Sequence, residues 1–225
     1  MTPAAPSMKM GVWAESALNE YGVSISATES IYGGEDVLKY DPYVVNGVAE
    51  ESIPTEVIPY VKTAREGIER LGGIVSDYGS AEGNGVVIAD ETEAWYIEIY
   101  SGHHWLAVKV PDDQAAVIGN DALIGCVDVN DPVNVIASPD FWQLAEEQGF
   151  LVKQNGKPHA ALTYGEPHRD YSQIRVWAGQ RYLAPSQEQG YDVNHTYEMF
   201  VTPDQPVTLQ NVMELTRYRF EDTIY

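Results

Sequence analysis

The sequence predicts an α+β protein with a mostly antiparallel sheet and helices packed against it. Between residues 86 and 118, short apolar segments alternate with acidic or glycine-containing breaks, a pattern typical of an antiparallel meander. Stretches with helical periodicity flank this region on both sides. Hydrophobic residues occupy 44% of the 225 positions and charged residues 21%, so the composition is that of a chain that folds.

Before the meander, the sequence predicts a tail and then a hairpin. Residues 1–10 are rich in Pro, Ala and Ser and contain no apolar run, which favours a disordered tail. We assign residues 11–225 to one domain. Strand-like residues at 11–14 and 22–27 flank the turn-prone sequence Asn19-Glu20-Tyr21-Gly22, and this pattern indicates a β-hairpin.

Residues 52–78 are predicted to form an amphipathic helix. Apolar side chains recur there at alternating steps of four and three: Val57, Val61, Ala64, Ile68, Leu71, Val75 and Tyr78. Ser52 is suited to cap this helix and Gly79 to end it. Pro59 should divide or kink the helix near its start, because its ring removes a backbone donor and collides with the preceding turn.

The meander is followed by further helices. Its strands are assigned to residues 86–89, 94–100, 105–110 and 115–118. Within 95–100 both faces carry bulky residues, as expected of a strand buried between two layers. Helices are predicted again at 139–148 and at 209–219, the latter capped by Thr208, while the polar, proline-containing segments 184–190 and 202–207 should be loops.

Charge and composition exclude several classes of partner. The chain has 34 acidic and 13 basic residues, a net charge of −21, so nucleic acids and anionic membrane surfaces are not expected as partners. No stretch reaches the length and apolarity of a membrane span. The single cysteine, Cys126, excludes an intramolecular disulfide. The first ten residues contain no apolar run of signal-peptide length, so we expect a cytoplasmic location.

Generic catalytic motifs are missing from the sequence. It contains no phosphate-binding glycine loop, no GxSxG elbow and no HExxH helix, and we expect neither a cofactor nor a metal. His103 and His104 are adjacent, so on a strand they would point to opposite faces, which favours pocket-wall or packing roles over a shared metal. Cys126 could be a thiol nucleophile paired with a distant histidine, but a buried structural cysteine is the more common case.

A set of local sequences carries a more specific signal. These are ALNEYGVSISATES at 17–30, IPYVKTAREGIERLG at 58–72, AEGNGVVIAD at 81–90, WYIEIYSGHHWLAVKVPDD at 95–113, VIGND at 117–121, DYSQIRVWAGQRYL at 170–183 and VMELTRYRFEDT at 212–223. Together, and in this order, they resemble the bacterial dipeptidase A family of cysteine peptidases, within the N-terminal-nucleophile hydrolases. The resemblance implies dipeptide substrates and part of a four-layer αββα sandwich.

The resemblance also shows what the sequence lacks. In the family, the mature chain begins with a cysteine whose thiolate attacks the peptide carbonyl while its own α-amino group acts as the base. This sequence begins Met1-Thr2 without a nearby cysteine, and family members continue well beyond Tyr225. We therefore expect residues 11–225 to be the central part of one dipeptidase-type catalytic domain, inactive by itself. Unpaired sheet edges would favour self-association, so a homo-oligomer is a further expectation.

Two residues match catalytic positions of the family. Asn120, in VIGND, resembles the asparagine that donates a hydrogen bond to the oxyanion of the tetrahedral intermediate. The alternative is an Asx turn with Asp121. Arg175, in SQIRVW, resembles the arginine that holds the environment of the nucleophile, and its alternative role is a salt bridge to one of the many acids.

Substrate-binding candidates lie at the ends of strands. Glu29, after the SATES strand, could pair with the free α-amino group of a dipeptide, although a solvated strand-end acid is the simpler account. His103, His104 and Trp105 follow a glycine that permits close approach of a ligand, and we assign them to the pocket wall. An aromatic residue at this position is also typical of plain core.

A second hypothesis assigns no catalysis to the chain. Its acidic surface and its five Trp, 15 Tyr and four Phe residues would also suit a non-catalytic ligand-binding or structural domain. Proteins of this kind bind sugars or peptides in aromatic grooves.

Overall fold

The computed structural model describes residues 14–187, 190–193, 195–220 and 223, and it has mixed α+β architecture as predicted. The tail predicted at 1–10 lies outside the described residues. The strands are β1 Ser16–Leu18, β2 Ser24–Thr28, β3 Asn84–Ala89, β4 Ala94–Ile99, β5 Trp105–Lys109, β6 Ala115–Ala116, β7 Val135–Ala137, β8 Lys153–Gln154, β9 Lys157–Pro158 and β10 Phe200–Val201. The main sheet is antiparallel and six-stranded, in the order β1-β2-β3-β4-β5-β7.

Helices lie between and after these strands. They are α1 Glu35–Tyr40, α2 Ile53–Val57, α3 Ala64–Tyr78, α4 Gln143–Gln148, α5 Ala160–Tyr164, α6 Asp170–Leu183 and α7 Leu209–Leu215. The helices predicted at 139–148 and at 209–219 are both shorter than expected. The second is capped by Thr208, as predicted, in a capping box with Asn211. In the part of the chain that the structure describes, no helix is both long and apolar enough to cross a membrane.

The N-terminal hairpin is confirmed with a shifted first strand. β1 begins at Ser16, and residues 11–13 of the predicted strand are not among the described ones. The turn is stabilised by Asn19, whose Oδ1 accepts from the backbone N–H groups of Tyr21 and Val23, each at 3.0 Å. Gly22 has φ +80°, a conformation that favours glycine.

The helix predicted at 52–78 is divided near its start, as Pro59 indicates. Pro59 lies in a 3₁₀ turn, Ile58–Tyr60, between α2 and α3. Thr63 then caps α3 by accepting from the N–H of Glu66 at 3.1 Å, and Gly79 ends the helix with φ +83°. The predicted apolar stripe is buried apart from its last member, Tyr78.

The predicted meander is right for three strands and wrong for the fourth. Residues 115–116 are extended, but β6 pairs with β10 and not with β5. The place beside β5 is taken by β7, with Val108 opposite Val135. Apolar patterning shows that a segment is extended, whereas its partner depends on contacts with residues far along the chain.

The central strand β4 is buried on both faces, as predicted. Each residue from 95 to 100 exposes 2% or less of its surface. Trp95, Ile97 and Ile99 belong to the core that α3 covers, which we call the α3-side core. Tyr96 and Tyr100 belong to the opposite core, which is covered by residues of α5 and α6. The sheet therefore lies between two cores, and its face opposite α3 supports the candidate site.

Candidate active site

Glu29, His103 and His104 lie at the same end of the main sheet. The antiparallel register places the end of β2 beside the start of β3, and the end of β4 beside the start of β5. Glu29 directly follows β2, and the two histidines lie in the turn between β4 and β5. Residues that are far apart in sequence thus meet at one end of the sheet.

Asn120 and Arg175 are in direct contact although 55 positions separate them. Nη2 of Arg175 donates to Oδ1 of Asn120 at 2.8 Å, and Nε donates to the carbonyl oxygen of Tyr171 at 3.0 Å. A guanidinium can only donate, so its partner must be the amide oxygen and the orientation of the amide is fixed. Among the described residues, nothing accepts from Nδ2 of Asn120 and no carboxylate lies within salt-bridge distance of Arg175. The contact therefore presents a free, oriented N–H donor.

Arg169 connects the loop of Asn120 to the segment of Glu29. Its backbone N–H donates at 3.1 Å to the carboxylate of Asp121, the neighbour of Asn120. Its guanidinium carbon lies 3.6 Å from the centroid of the Tyr32 ring, three positions after Glu29. One residue at the start of α6 therefore links both groups of site candidates.

Glu29 belongs to a group of three carboxylates. Oxygens of Glu29, Glu50 and Glu82 lie within 4.8 Å of one another. The backbone N–H of Glu29 donates to Glu50, and that of Glu50 donates to Glu82, each at 2.8 Å. The nearby charge of Glu82, followed by partial burial and by Glu50 and Glu51, raises the pKa of the Glu29 carboxyl. Such a group would be stabilised by a cation, either an ammonium group or a metal ion.

His103 and His104 do not point to opposite faces, which corrects the prediction. They lie in a turn and not on a strand, and both Nδ1 atoms bind the carboxylate of Asp41, at 2.7 and 2.8 Å. The hydroxyl of Ser101 also donates to Asp41, at 2.7 Å. Although burial opposes it, these hydrogen bonds hold the pKa of Asp41 well below its usual range. The histidines thus fix the β4–β5 turn against the end of α1.

Trp105 lies in the α3-side core, and Cys126 lies at the surface. Trp105 is 4% exposed, and its Nε1 donates to the hydroxyl of Ser76 on α3 at 2.9 Å. Its assignment to a pocket wall stays a prediction. Cys126 is exposed, contrary to the expected burial. Partial burial and the charge of Glu198 raise the pKa of its thiol, which disfavours the nucleophilic thiolate.

Sequence reasoning did not identify several residues near the site. Glu98 was the most visible of them, because it is the one acid in a strand predicted to be buried on both faces. Asp41 offered no local signal, since its partners follow some 60 positions later. Glu82 lies in a glycine-containing turn, where acids are common.

Comparisons with known proteins match all or most of this chain. The model of Peptidase family C69 matches residues 1–225. The protein named probable dipeptidase B in Streptococcus pyogenes serotype M1 is 42% identical over 211 residues, which are 94% of this chain and 42% of that protein. A probable dipeptidase of Latilactobacillus sakei is 44% identical over 181 residues, 80% of this chain and 38% of that protein. The probable dipeptidase A of the same S. pyogenes serotype is 34% identical, covering 96% of this chain and 47% of that protein.

Proposed function

The chain belongs to peptidase family C69, as its resemblance predicted, and we propose that it forms part of a cysteine-type dipeptidase. It spans less than half the length of the curated relatives it matches. The observation that carries the proposal is the 2.8 Å hydrogen bond between Arg175 and Asn120, because it orients a neutral donor for the reaction.

Asn120 would act on the carbonyl oxygen of the scissile peptide bond. When a thiolate adds to the carbonyl carbon, negative charge develops on this oxygen, and an oriented amide N–H stabilises it. The intermediate then expels the amine of the second residue, which takes up a proton, and water hydrolyses the thioester that remains. Arg175 holds the amide in place and supplies a fixed positive charge that favours thiolate over thiol.

The nucleophile in this proposal is not Cys126. Its thiol carries a raised pKa, and its Sγ is within hydrogen-bond distance of the carbonyl oxygens of Gln154 and Lys157, at 3.8 and 3.6 Å. The family resemblance assigns the nucleophile to a cysteine at the start of the mature enzyme. Because Cys126 is the single cysteine, we propose that the 225-residue chain alone hydrolyses no dipeptide.

Glu29 would select dipeptides by their free α-amino group. An ammonium group near Glu29, Glu50 and Glu82 would relieve the repulsion that raises the pKa of Glu29. Residues inside a longer peptide lack this amine. The three carboxylates would therefore favour substrates whose scissile bond follows their first residue. His103 and His104 border the same end of the sheet and remain candidates for the pocket wall.

The proposal has four further parts. They are the αββα sandwich, the place of residues 11–225 as the central part of one catalytic domain, the cytoplasmic location and a homo-oligomeric state. The non-catalytic ligand-binding domain remains the alternative, and the following experiment distinguishes it.

The proposal can be tested in a chimera in which this chain replaces the matching segment of the S. pyogenes dipeptidase B. Hydrolysis of a dipeptide panel that thiol alkylation abolishes, and that Cys126→Ser leaves unchanged, is the expected result. The isolated chain should show no turnover. A chimera that binds dipeptides by calorimetry but never cleaves them would favour the binding domain, and turnover by the isolated chain would contradict the assignment of the nucleophile.

A further inference from the structure

The carboxylate of Glu98 is buried under the loop that carries Asn120. Glu98 has no exposed surface, and its side chain leaves β4 on the face opposite α3. The backbone N–H of Leu123 donates to its Oε1 at 2.6 Å, and that of Ile124 lies 3.2 Å from its Oε2. The hydroxyl of Tyr100 donates to Oε2 at 2.7 Å.

A buried carboxylate is costly, so its partners indicate its role. Burial raises the pKa of Glu98 to about 7, while the donors from Leu123, Tyr100 and Ile124 oppose this rise. Within the described ranges, no cation forms an ion pair with Glu98. Tyr96 and Tyr100 face it, and burial raises the pKa of both phenols, so they stay neutral. The carboxylate is therefore held mainly by backbone donors of one loop.

This loop is fastened at two sides. On one side, Asn120 accepts from Arg175, and Asp121 accepts from the backbone of Arg169, so both contacts are to α6 or its N-cap residue. On the other side, Glu98 is the sheet residue whose side chain bonds the backbone at 123 and 124. Only three positions separate Asn120 from Leu123, so the two attachments act on one short stretch of backbone.

We propose that Glu98 is a positioning residue that holds the 120–124 loop on the sheet and so aims Nδ2 of Asn120 at the substrate carbonyl. The inference rests on the proposed function for its catalytic consequence, but the anchoring itself is independent of it. Glu98 touches neither the substrate nor the nucleophile in this account. Its effect passes through the loop to Asn120.

The anchoring can be measured in the isolated chain by hydrogen exchange. Glu98→Leu fills the space but removes the acceptors, and Glu98→Gln keeps one acceptor oxygen. The amides of Leu123 and Ile124 should exchange roughly tenfold or more faster in Glu98→Leu, because a buried N–H loses its partner, and Glu98→Gln should recover much of the protection. Glu93→Gln, an acid on the turn before β4 that pairs with Lys109 at 3.2 Å, is the matched control.

Exchange in α3 separates local anchoring from plain stability. Helix α3 packs on the other face of the sheet, so its amides should exchange no faster in either variant. An equal rise in α3 and in the loop would overturn the proposal, as would an unchanged loop. If Glu98→Leu fails to fold, Glu98→Gln decides by the same comparison, with a smaller rise confined to the loop.

The catalytic consequence is measured in the chimera. After titration of active sites with an alkylating reagent, Glu98→Leu should lower kcat with little change in KM, and Glu98→Gln should recover most of the rate. A loosened loop with an unchanged kcat would overturn the positioning role. If the Asn120→Ala chimera is fully active while exchange still shows the anchor, the proposed function fails at Asn120 and the anchoring stands.

Discussion

The guanidinium of Arg175 orients the carboxamide of Asn120 by donating to its oxygen at 2.8 Å. The arginine belongs to the second turn of α6, and the asparagine lies in a loop that precedes this helix by some 50 positions. The amide oxygen is thereby occupied, and no described residue accepts from the amide nitrogen. One end of this side chain is therefore held, and the other end is available to a substrate.

Replacing Asn120 by Ala in the chimera should lower kcat about 10²- to 10³-fold and leave KM nearly unchanged. The hydrogen bond to the carbonyl oxygen strengthens only as charge develops in the transition state. Steady-state kinetics on one dipeptide measures both constants. Asn130→Ala, at an exposed asparagine bonded to Asp128, is the matched control. Wild-type turnover in a folded Asn120→Ala protein would reduce Asn120 to a loop residue.

Arg175→Lys should lower kcat roughly tenfold. Lysine keeps the charge but lacks the planar fork that reaches both the Tyr171 carbonyl and the Asn120 amide. Arg65→Lys, at a half-buried arginine of α3 that pairs with Glu69 at 2.9 Å, serves as control. Near-normal rates in Arg175→Lys would show that the charge alone suffices and that the oriented contact is dispensable.

Glu29→Gln should raise KM for dipeptides about 3- to 5-fold, since Glu29 is exposed and an exposed ion pair is weak. Substrates with a blocked amino group should bind equally well to both forms. Because its pKa is raised, the Glu29 carboxylate takes up a proton at a higher pH than an ordinary glutamate does. As the pH falls, the KM for dipeptides with a free amino group should therefore begin to rise at this higher pH. Glu20→Gln, in the β1–β2 turn, is the control. An equal effect on blocked and free substrates would exclude an ammonium-binding role.

The burial of Glu98 predicts a pH dependence of stability. Its pKa is about 7 in the folded chain and 4.5 as its ordinary value, so the folded state binds more protons and its stability falls as pH rises through this window. Relative to wild type, the free energy of unfolding of Glu98→Gln should therefore rise between pH 5 and pH 8, by up to about 3 kcal/mol. Urea unfolding at both pH values measures the difference.

The comparison with wild type removes other titrating groups from this test. His159 and His168 have pKa values lowered by burial, so they reduce stability as pH falls below their ordinary value of 6.5. This contribution is the same in both proteins. A constant difference in stability between pH 5 and pH 8 would contradict the buried, raised-pKa carboxyl.

Two adjacent glycines of α3 should respond oppositely to alanine. A Cβ at Gly72 would lie 2.3 Å from the ring of Trp105, whereas one at Gly73 meets nothing within 4 Å. Gly72→Ala should therefore cost about 1–3 kcal/mol through overpacking, and Gly73→Ala should gain roughly 0.5–1 kcal/mol through helix propensity. Thermal unfolding measures both. Equal stability of the two variants would argue against the tight packing of Trp105 on α3.

Local features were predictable from the sequence because their causes are local. Pro59 divides its helix, Gly79 ends α3 and Thr208 caps α7 through interactions within a few residues. The pairing of β6 with β10 was not predictable, since its partner lies about 85 positions later and no local pattern encodes it.

The candidate site shows the same division. Asn120 and Arg175 could be named from their motifs, but their contact depends on how α6 packs over the sheet. The prediction for His103 and His104 was wrong because side chains point alternately to opposite faces only on a strand. The two histidines lie in a turn, where both bind the carboxylate of Asp41. Glu98 was visible as a charge in an apolar strand, yet its role depends on amides about 25 positions away.

The two faces of the sheet draw on different lengths of chain, which bears on the order of folding. The buried residues of the α3-side core come from positions 23–107, whereas those of the opposite core reach from Ile31 to Met199. During synthesis, the first core has all of these residues once position 107 has left the ribosome, while the second must wait for 92 further residues, up to Met199. Contacts over shorter separations close at lower entropic cost, so α3 and strands β2 to β5 form the natural nucleus. The loop that bears Asn120 would then settle after this nucleus, onto a surface that is already built.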